Sequence, residues 1–520
     1  MTTETPDVQL DTLESKGLIK LATVRPELEY LFRHALVQDA AYGSLLKQER
    51  RALHGQVGDA LEQLYPDRRG ELAPVLAMHF EHAGETEKAI DYYAEAARHA
   101  LGKNAIQEAF GAFDQAARLL AAEPASGTPA TRSVETSEQR RRRIQIEVGR
   151  AQAGYSFRSA EDSFGELERV VDAAEELGDP ELIAKIHILI ALGRLQNGEL
   201  ATAPLVKRSL DRIARVGEQV GDPSLGALPM ALIGLIQVFT GPVQAGVAAL
   251  EEALPLLEGR QDTIGAAFAR GALAIGYAEL GEFEKADVAS RRATALAAKG
   301  DTIAQLDAVL AEASIKAARG ELDLASTLAE ECVTRSEETG ASACMVVSSW
   351  ILGDVFHRQG RFAEAQAVLQ RGSDIALVVE RKVWRPTLQA WLGSASVALN
   401  GATPADWEDA LATARSIGNQ VGEAGILGKR AEAAATRGDI EAAVADFEAS
   451  ARLAQALGLR PALARLLQSW GDALRGVGRA EEAVPILTRA LGLFEEMGLT
   501  REAGIVRTTL AMPATKLAFD

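Results

Sequence analysis

Eight glycines set at steps of about 37 to 43 residues, Gly198, Gly241, Gly281, Gly320, Gly360, Gly401, Gly438 and Gly478, each precede a charged or polar helix start. That period constrains this 520-residue chain more than any other feature, because self-similarity at 20–50 residues is the mark of stacked repeats. A second series runs out of phase with it: Gly178, Gly221, Gly259, Gly300, Gly340, Gly418, Gly458 and Gly498. Glycine takes the left-handed conformation that stops a helix. Two interleaved series therefore predict a unit of helix, tight turn, helix and loop, repeated along the chain.

Close crossing of paired helices needs small residues at fixed offsets, and the sequence supplies them. Seven residues before the turn glycines stand Ala191, Gly234, Ala274, Ala313, Gly353, Ser394, Ala431 and Gly471. Five after them stand Ala203, Gly246, Ala286, Ala325, Ala365, Ala443 and Ala483, with Asp406 the exception beside Thr403-Pro404. Trp470-Gly471-Asp472-Ala473-Leu474, followed by Gly478, Ala483, Leu487 and Ala490, carries the pattern most fully. It resembles the tetratricopeptide (TPR) repeat, in its longer form of about 40 residues found in maltose-regulator-type activators and related signalling ATPases. A HEAT-like helical hairpin array is the alternative. The expected fold class is all-α, a TPR-like superhelical solenoid of helical hairpins.

Composition narrows the function classes. A formal charge of −18 argues against a nucleic-acid surface spread over the molecule, since phosphate binding needs a basic footprint. Cys332 and Cys344 do not make a disulfide scaffold, and with no signal peptide apparent, a cytoplasmic home is expected. The apolar stretch from Leu225 to Gly241 contains Pro229 and is shorter than the ~20 residues that span a bilayer. It reads as a buried helix, and no membrane partner is expected.

Before the repeats, Leu10–Gly17 reads as a helix, Leu18–Leu21 as a strand, and Glu29–Phe32 as a second strand after a turn at Pro26. This is the order that ends a winged helix. The string Phe32-Arg33-His34-Ala35-Leu36-Val37-Gln38-Asp39-Ala40-Ala41-Tyr42, with Leu45-Leu46, Arg50-Arg51 and His54 downstream, resembles the junction of STAND-type signalling ATPases, including bacterial ones fused to class III adenylate or guanylate cyclases. In plant and animal relatives the junction carries a Met-His-Asp triplet whose histidine contacts ADP. Here the triplet is Arg33-His34-Ala35, so the resemblance implies a nucleotide contact for His34 only beside a nucleotide-binding domain. A helix-start histidine packing the wing is the plainer reading. No Gly-x-x-x-x-Gly-Lys-[Ser/Thr] loop occurs, and around Gly428-Lys429-Arg430 Glu423 stands where the first glycine belongs. The chain therefore reads as a regulatory part without its motor, and no cofactor is expected.

Other constellations have plain readings. His79 and His82 have no evident third ligand and read as a solvated or packing pair. Cys332 fills a small-residue offset of the core, and the run Arg140–Arg143 winds around a helix as a solvated turn. No nucleophile elbow or Cys/His arrangement appears, so an independent enzyme is not expected.

The expected organisation is a partial winged-helix remnant and junction helix over 1–47, a helical TPR-like segment over 48–121, a linker over 122–138, and the array with a capping helix over 139–520. In TPR proteins the first helix of each pair lines the concave face, at ten, six and three residues before the turn glycine. Those offsets give Leu235, Val238 and Ile275 an apolar groove, with Trp350, Asp354, His357 and Trp391 further along. Trp350 and Trp391 are expected to form an exposed aromatic platform, with Asp354 and His357 as polar handles and Trp470 in the core. The function expected is a non-enzymatic scaffold or sensor that takes a protein, peptide or apolar small ligand in signal transduction. The alternative is the regulatory part of a nucleotide cyclase or STAND ATPase.

Glu123 to Thr131 is rich in Pro, Ser, Gly and Thr and has no periodic apolar pattern, which predicts first cleavage between Glu123 and Glu138. Limited proteolysis should leave a large C-terminal fragment intact, whereas early cuts inside the array would place the boundary elsewhere.

Overall fold

The computed structural model describes residues 6–23, 29–103, 105–122, 135–155, 157–259, 263–298, 302–401 and 407–512. The Pro26 turn, Gly300, Asp406 with Thr403-Pro404, and nearly all of the expected linker lie outside these residues. The chain divides into two compact units, one of Met1–His99 with Ala112–Ser126, the other of Ala100–Gly111 with Gly127–Asp520.

The first unit opens with α1 (Pro6–Ser15), β1 (Ile19–Thr23) and β2 (Glu29–Phe32). The strands pair antiparallel, Ile19 opposite Phe32 and Leu21 opposite Tyr30. Then come α2 (Ala35–Ser44), α3 (Lys47–Leu64), α4 (Arg69–Ala83) and α5 (Thr86–Gly102), with α6 (Ile106–Ala122) after them. Ala77, Phe80 and Ala89, placed around Gly84 as in the later repeats, are fully buried, and Phe80 stacks on Tyr92 at 5.5 Å.

The second unit is a run of helical hairpins. They are α7 (Ser137–Gly154) with α8 (Ala160–Leu177), α9 (Pro180–Gln196) with α10 (Pro204–Val220), and α11 (Pro223–Thr240) with α12 (Val243–Gly259). Next come α13 (Thr263–Glu279) with α14 (Phe283–Ala297), α15 (Thr302–Arg319) with α16 (Leu322–Thr339), and α17 (Ser342–Arg358) with α18 (Phe362–Val378). Last are α19 (Arg385–Asn400) with α20 (Trp407–Ser416), α21 (Gln420–Thr436) with α22 (Ile440–Leu457), and α23 (Arg460–Gly476) with α24 (Ala480–Glu496). A single helix, α25 (Thr500–Ala511), ends the run. None of the described helices is long and apolar enough to cross a membrane. The architecture is thus an all-α, TPR-like solenoid.

The small residues do what their offsets require. A Cβ on Gly353 would overlap the side chain of Leu369, so α18 can lay that side chain against α17 only because residue 353 carries none. Ala365 and Ala483 are fully buried at the matching points of the second helices. One member of the second glycine series behaves differently, since Gly259 is itself the last residue of α12.

Hairpins far apart in sequence also meet. Helix α11 touches α21, and α13 touches α23. A single apolar cluster joins Val238, Ile275 and Ala318 to Leu457, Leu463 and Val506. At this seam the turn after α13 sits on the loop after α24: Met497 Sδ lies 2.6 Å from the place a Cβ on Gly281 would occupy. A second long-range tie is the fully buried Arg381, which donates to the Tyr155 carbonyl at 2.8 Å and lies over the Tyr155 ring at 3.9 Å.

The second glycine series skips the end of α18, and there Glu380 takes the left-handed conformation at φ 53. The loop closes as it does after glycine, with Arg381 N–H donating to Ala376 O at 2.8 Å. A Cβ in this region costs ~1–2 kcal/mol, part of which glycine's chain entropy offsets. Glu380→Gly should therefore raise stability by about 1 kcal/mol in urea unfolding, and a clear loss would contradict this account.

Candidate functional site

The first helices of seven successive hairpins, α11, α13, α15, α17, α19, α21 and α23, line a cavity of about 190 Å³. That is room for a small ligand or a single peptide side chain, below the ~300–1,000 Å³ of sites that enclose a drug-sized molecule. Contact between α11 and α21 and between α13 and α23 brings the two ends of this set together, so the walls are contributed from residue 238 to residue 466.

One wall is aromatic. Phe239 meets Trp384 edge-on at 4.6 Å, Trp384 lies 6.2 Å from Trp350, and Trp350 meets Trp391 edge-on at 5.9 Å. Trp391 is only 9% exposed and donates its indole N–H to Asp354 Oδ1 at 2.8 Å. Its ring also packs where a Cβ on Gly425 would stand, at 2.6 Å. The expected exposed platform is thus a recessed wall, with Trp391 buried and Trp350 half-buried. The Trp350 indole nitrogen is buried without a hydrogen-bond partner.

Charges face this wall. Asp354 lies 3.5 Å from Arg358 and 3.9 Å from Lys429, and Lys429 lies 3.0 Å from Glu432. The Lys429 ammonium also sits 5.2 Å over the Trp391 ring, an attraction of cation and ring quadrupole. Burial works against ionisation of Asp354, yet Lys429, Arg358 and Arg465 together hold its carboxyl well below the usual carboxylate range. Glu432 behaves alike: burial opposes its charge, and Lys429 with His357 outweighs it. Glu279 makes no ion pair among the described residues, and burial pushes its pKa up against the weaker pull of Arg465. Arg465 is pushed down to about 10 by burial and by neighbouring Arg358.

Of the residues chosen from the sequence, Trp350, Asp354, Trp391, Val238 and Ile275 line this cavity. Leu235 packs against the apolar cluster of the seam instead. His357 is not among the lining residues; its Nε2 meets Ser394 Oγ at 3.1 Å and its ring abuts Phe362. Trp470 is half-buried rather than enclosed in the core, and stacks on Phe447 at 6.1 Å. His34 caps α2 through its backbone, with an exposed side chain.

The three-offset rule missed Phe239, Glu279 and Arg358. They share a signal, for each stands two residues before a turn glycine. Trp384 precedes α19, where hairpin offsets give no guidance. Lys429 was visible only as part of a failed phosphate-loop match.

Elsewhere, His79 and His82 have a third imidazole beside them: His54 Nδ1 is 2.9 Å from His79 Nδ1, and the His54 and His82 rings are 4.8 Å apart. No group of three or more His, Cys, Asp or Glu able to hold a metal occurs among the described residues. The arginines of the 140–143 run reach out to carboxylates, Arg140 to Glu176, Arg141 to Asp179 and Arg143 to Glu135. Cys332 is fully buried and its thiol is pushed up to about 11.

No family model matches the sequence. An uncharacterized protein of Rhizobium meliloti (strain 1021) is 32% identical over 103 residues, 19% of this chain, and the match spans only 10% of that relative's length. Among solved structures, a Rap protein complexed with Competence and Sporulation Factor is similar over 70% of this chain and 99% of its own, at 12% identity and a TM-score of 0.48. The apo quorum sensor NprR from B. thuringiensis is similar over 68% and 98%, at 13% identity and TM-score 0.40. A STAND protein with a tetratricopeptide repeat sensor from Pyrococcus horikoshii is similar over 97% of this chain and 61% of its own, at 13% identity and TM-score 0.35. Identities and scores this low leave the site to be read from its own geometry.

His357 links the site to pH. Burial, and then the Lys429 ammonium, lower its pKa from 6.5 to about 4. The unfolded chain takes up this proton near 6.5 and the folded chain only near 4, so the unfolded state binds more protons between those values. The stability gained from a neutral His357 is therefore full above 6.5 and is lost as pH falls toward 4. His357→Asn should flatten that acid limb in unfolding curves. An unchanged limb in the variant would remove His357 as its cause.

Proposed function

We propose that this chain is a binding scaffold or sensor of signal transduction whose ligand, a peptide, a protein segment or an apolar small molecule, occupies the cavity ringed by the first helices of the hairpins. The observation that carries this reading is the aromatic wall of Phe239, Trp384, Trp350 and Trp391 facing half-buried charges across one cavity. Concave, mostly apolar sites with a few convergent polar groups are the usual form of ligand pockets. Asp354 and Glu432 are committed to Lys429 and Arg358, an arrangement that holds the wall in place and suits recognition better than proton transfer.

A second reading places this scaffold in a STAND-type ATPase or nucleotide-cyclase system as its regulatory part. It is supported by the order of α1, β1 and β2 ahead of the repeats and by the Phe32–Tyr42 string. In that setting His34, exposed at the start of α2, is the residue proposed to meet nucleotide. Measurable ATP or ADP affinity of this chain would favour the second reading over a scaffold alone.

Nile red, a neutral apolar fluorophore, tests the cavity. It should bind saturably at one site, and Trp350→Ala should weaken it roughly tenfold or more, since losing a buried aromatic anchor costs ~2 kcal/mol or more. Unsaturable binding, or equal affinity in the variant, would sink the proposal.

A further inference from the structure

The cations of the cavity are not equally satisfied. Lys429 has Glu432 at 3.0 Å, and Arg358 has Asp354 at 3.5 Å. Arg465 has no carboxylate within 4.0 Å among the described residues. It is fixed instead by one bond, from Nη1 to the Ala318 carbonyl at 3.1 Å, while Arg358 Nη1 donates to the adjacent Ala317 carbonyl at 2.7 Å. Two consecutive carbonyls at the end of α15 therefore hold two guanidinium groups beside each other, and both line the cavity. Like charges so placed repel, and among the described residues the remaining N–H donors of Arg465 have no hydrogen-bond partner. Asp354 serves Arg358, and Asp354, Glu279 and Glu502 act on Arg465 only from beyond contact, so Arg465 is the member of the pair with a guanidinium fork open to a carboxylate.

Glu279 also lines the cavity, with no cation within 4.0 Å among the described residues. Its burial favours the neutral acid, a form that donates a hydrogen bond, whereas a guanidinium keeps its charge. Asp354 and Glu432 are both paired with cations, which leaves Arg465 as the lining cation without a carboxylate contact among the described residues.

We propose that the cavity takes an organic carboxylate with an apolar or aromatic body: the carboxylate is held by Arg465 and Arg358, and the body lies along Trp350, Trp384 and Phe239. This rests on reading the cavity as a binding site and adds the ligand's chemical class. A free small acid and the C-terminal carboxylate of a peptide share this chemistry.

Calorimetry on the full chain tests it with N-acetylphenylalanine against N-acetylphenylalaninamide, two probes that differ in the carboxylate. The acid should bind and displace Nile red, with the amide roughly tenfold weaker or worse, as loss of a hydrogen bond to a charged group implies. Arg465→Gln should erase the preference, and Glu279→Gln should keep it. A short peptide ending in phenylalanine, with free or amidated C-terminus, separates the sources: preference for the free terminus supports a peptide ligand, and preference confined to the small acid supports a metabolite. Equal binding of acid and amide by the wild-type chain overturns the proposal without any variant having to fold. So does a preference that survives Arg465→Gln, or failure of both probes at millimolar concentration while Nile red still binds, which would leave the cavity a site for some other chemistry.

Discussion

The structure depends on helix crossings so close that at their tightest points a single added methyl would not fit. At Gly353 against Leu369, and at the buried Ala365 and Ala483, volume is the constraint, because close-packed interiors register even one added methylene. Repeating the crossing fixes the angle between successive hairpins. Once that angle brings α11 to α21 and α13 to α23, the first helices have a common interior to face. The cavity follows from the crossings.

What fills that interior is a different matter, because charges there are kept apart from bulk water and interact strongly. Asp354 is the hub: it accepts from the Trp391 indole and lies near both Arg358 and Lys429. A half-buried carboxylate with two cations and an indole donor is satisfied, so it stays ionised despite the cost of leaving bulk water. Each of its partners comes from a different hairpin, and the ion network therefore ties α17 to α19 and α21. The aromatic wall is held by the same group that neutralises the cations.

Much of the fold was legible from glycine and alanine spacing, because turn conformation and crossing volume are local demands that a sequence must meet in every unit. The site was legible in part. Offsets within a hairpin point to Trp350, Asp354, Trp391, Val238 and Ile275, all of which line the cavity. They misplaced His357 and Trp470, whose surroundings are set by neighbouring hairpins: Ser394 turns the histidine aside, and Phe447 covers one face of the tryptophan. Residues that reach the interior from loops, such as Trp384, or from across the seam, such as Arg465, depend on the pitch of the whole array. Glu380 shows the reverse limit, since it performs a glycine's task with no glycine to announce it.

The seam also changes how the array folds. A solenoid whose units touch only their neighbours gains stability one step at a time and can begin anywhere. Here Arg381 bonds to Tyr155 across 226 residues, and Arg465 to Ala318 across 147. Such distant pairings cannot reward the chain until a long loop has closed, which slows folding and makes it more nearly all-or-none. The cavity exists only once such distant pairings have been made. Any molecule that binds there acts as a clasp on the closed ring, drawing the array toward its completed form.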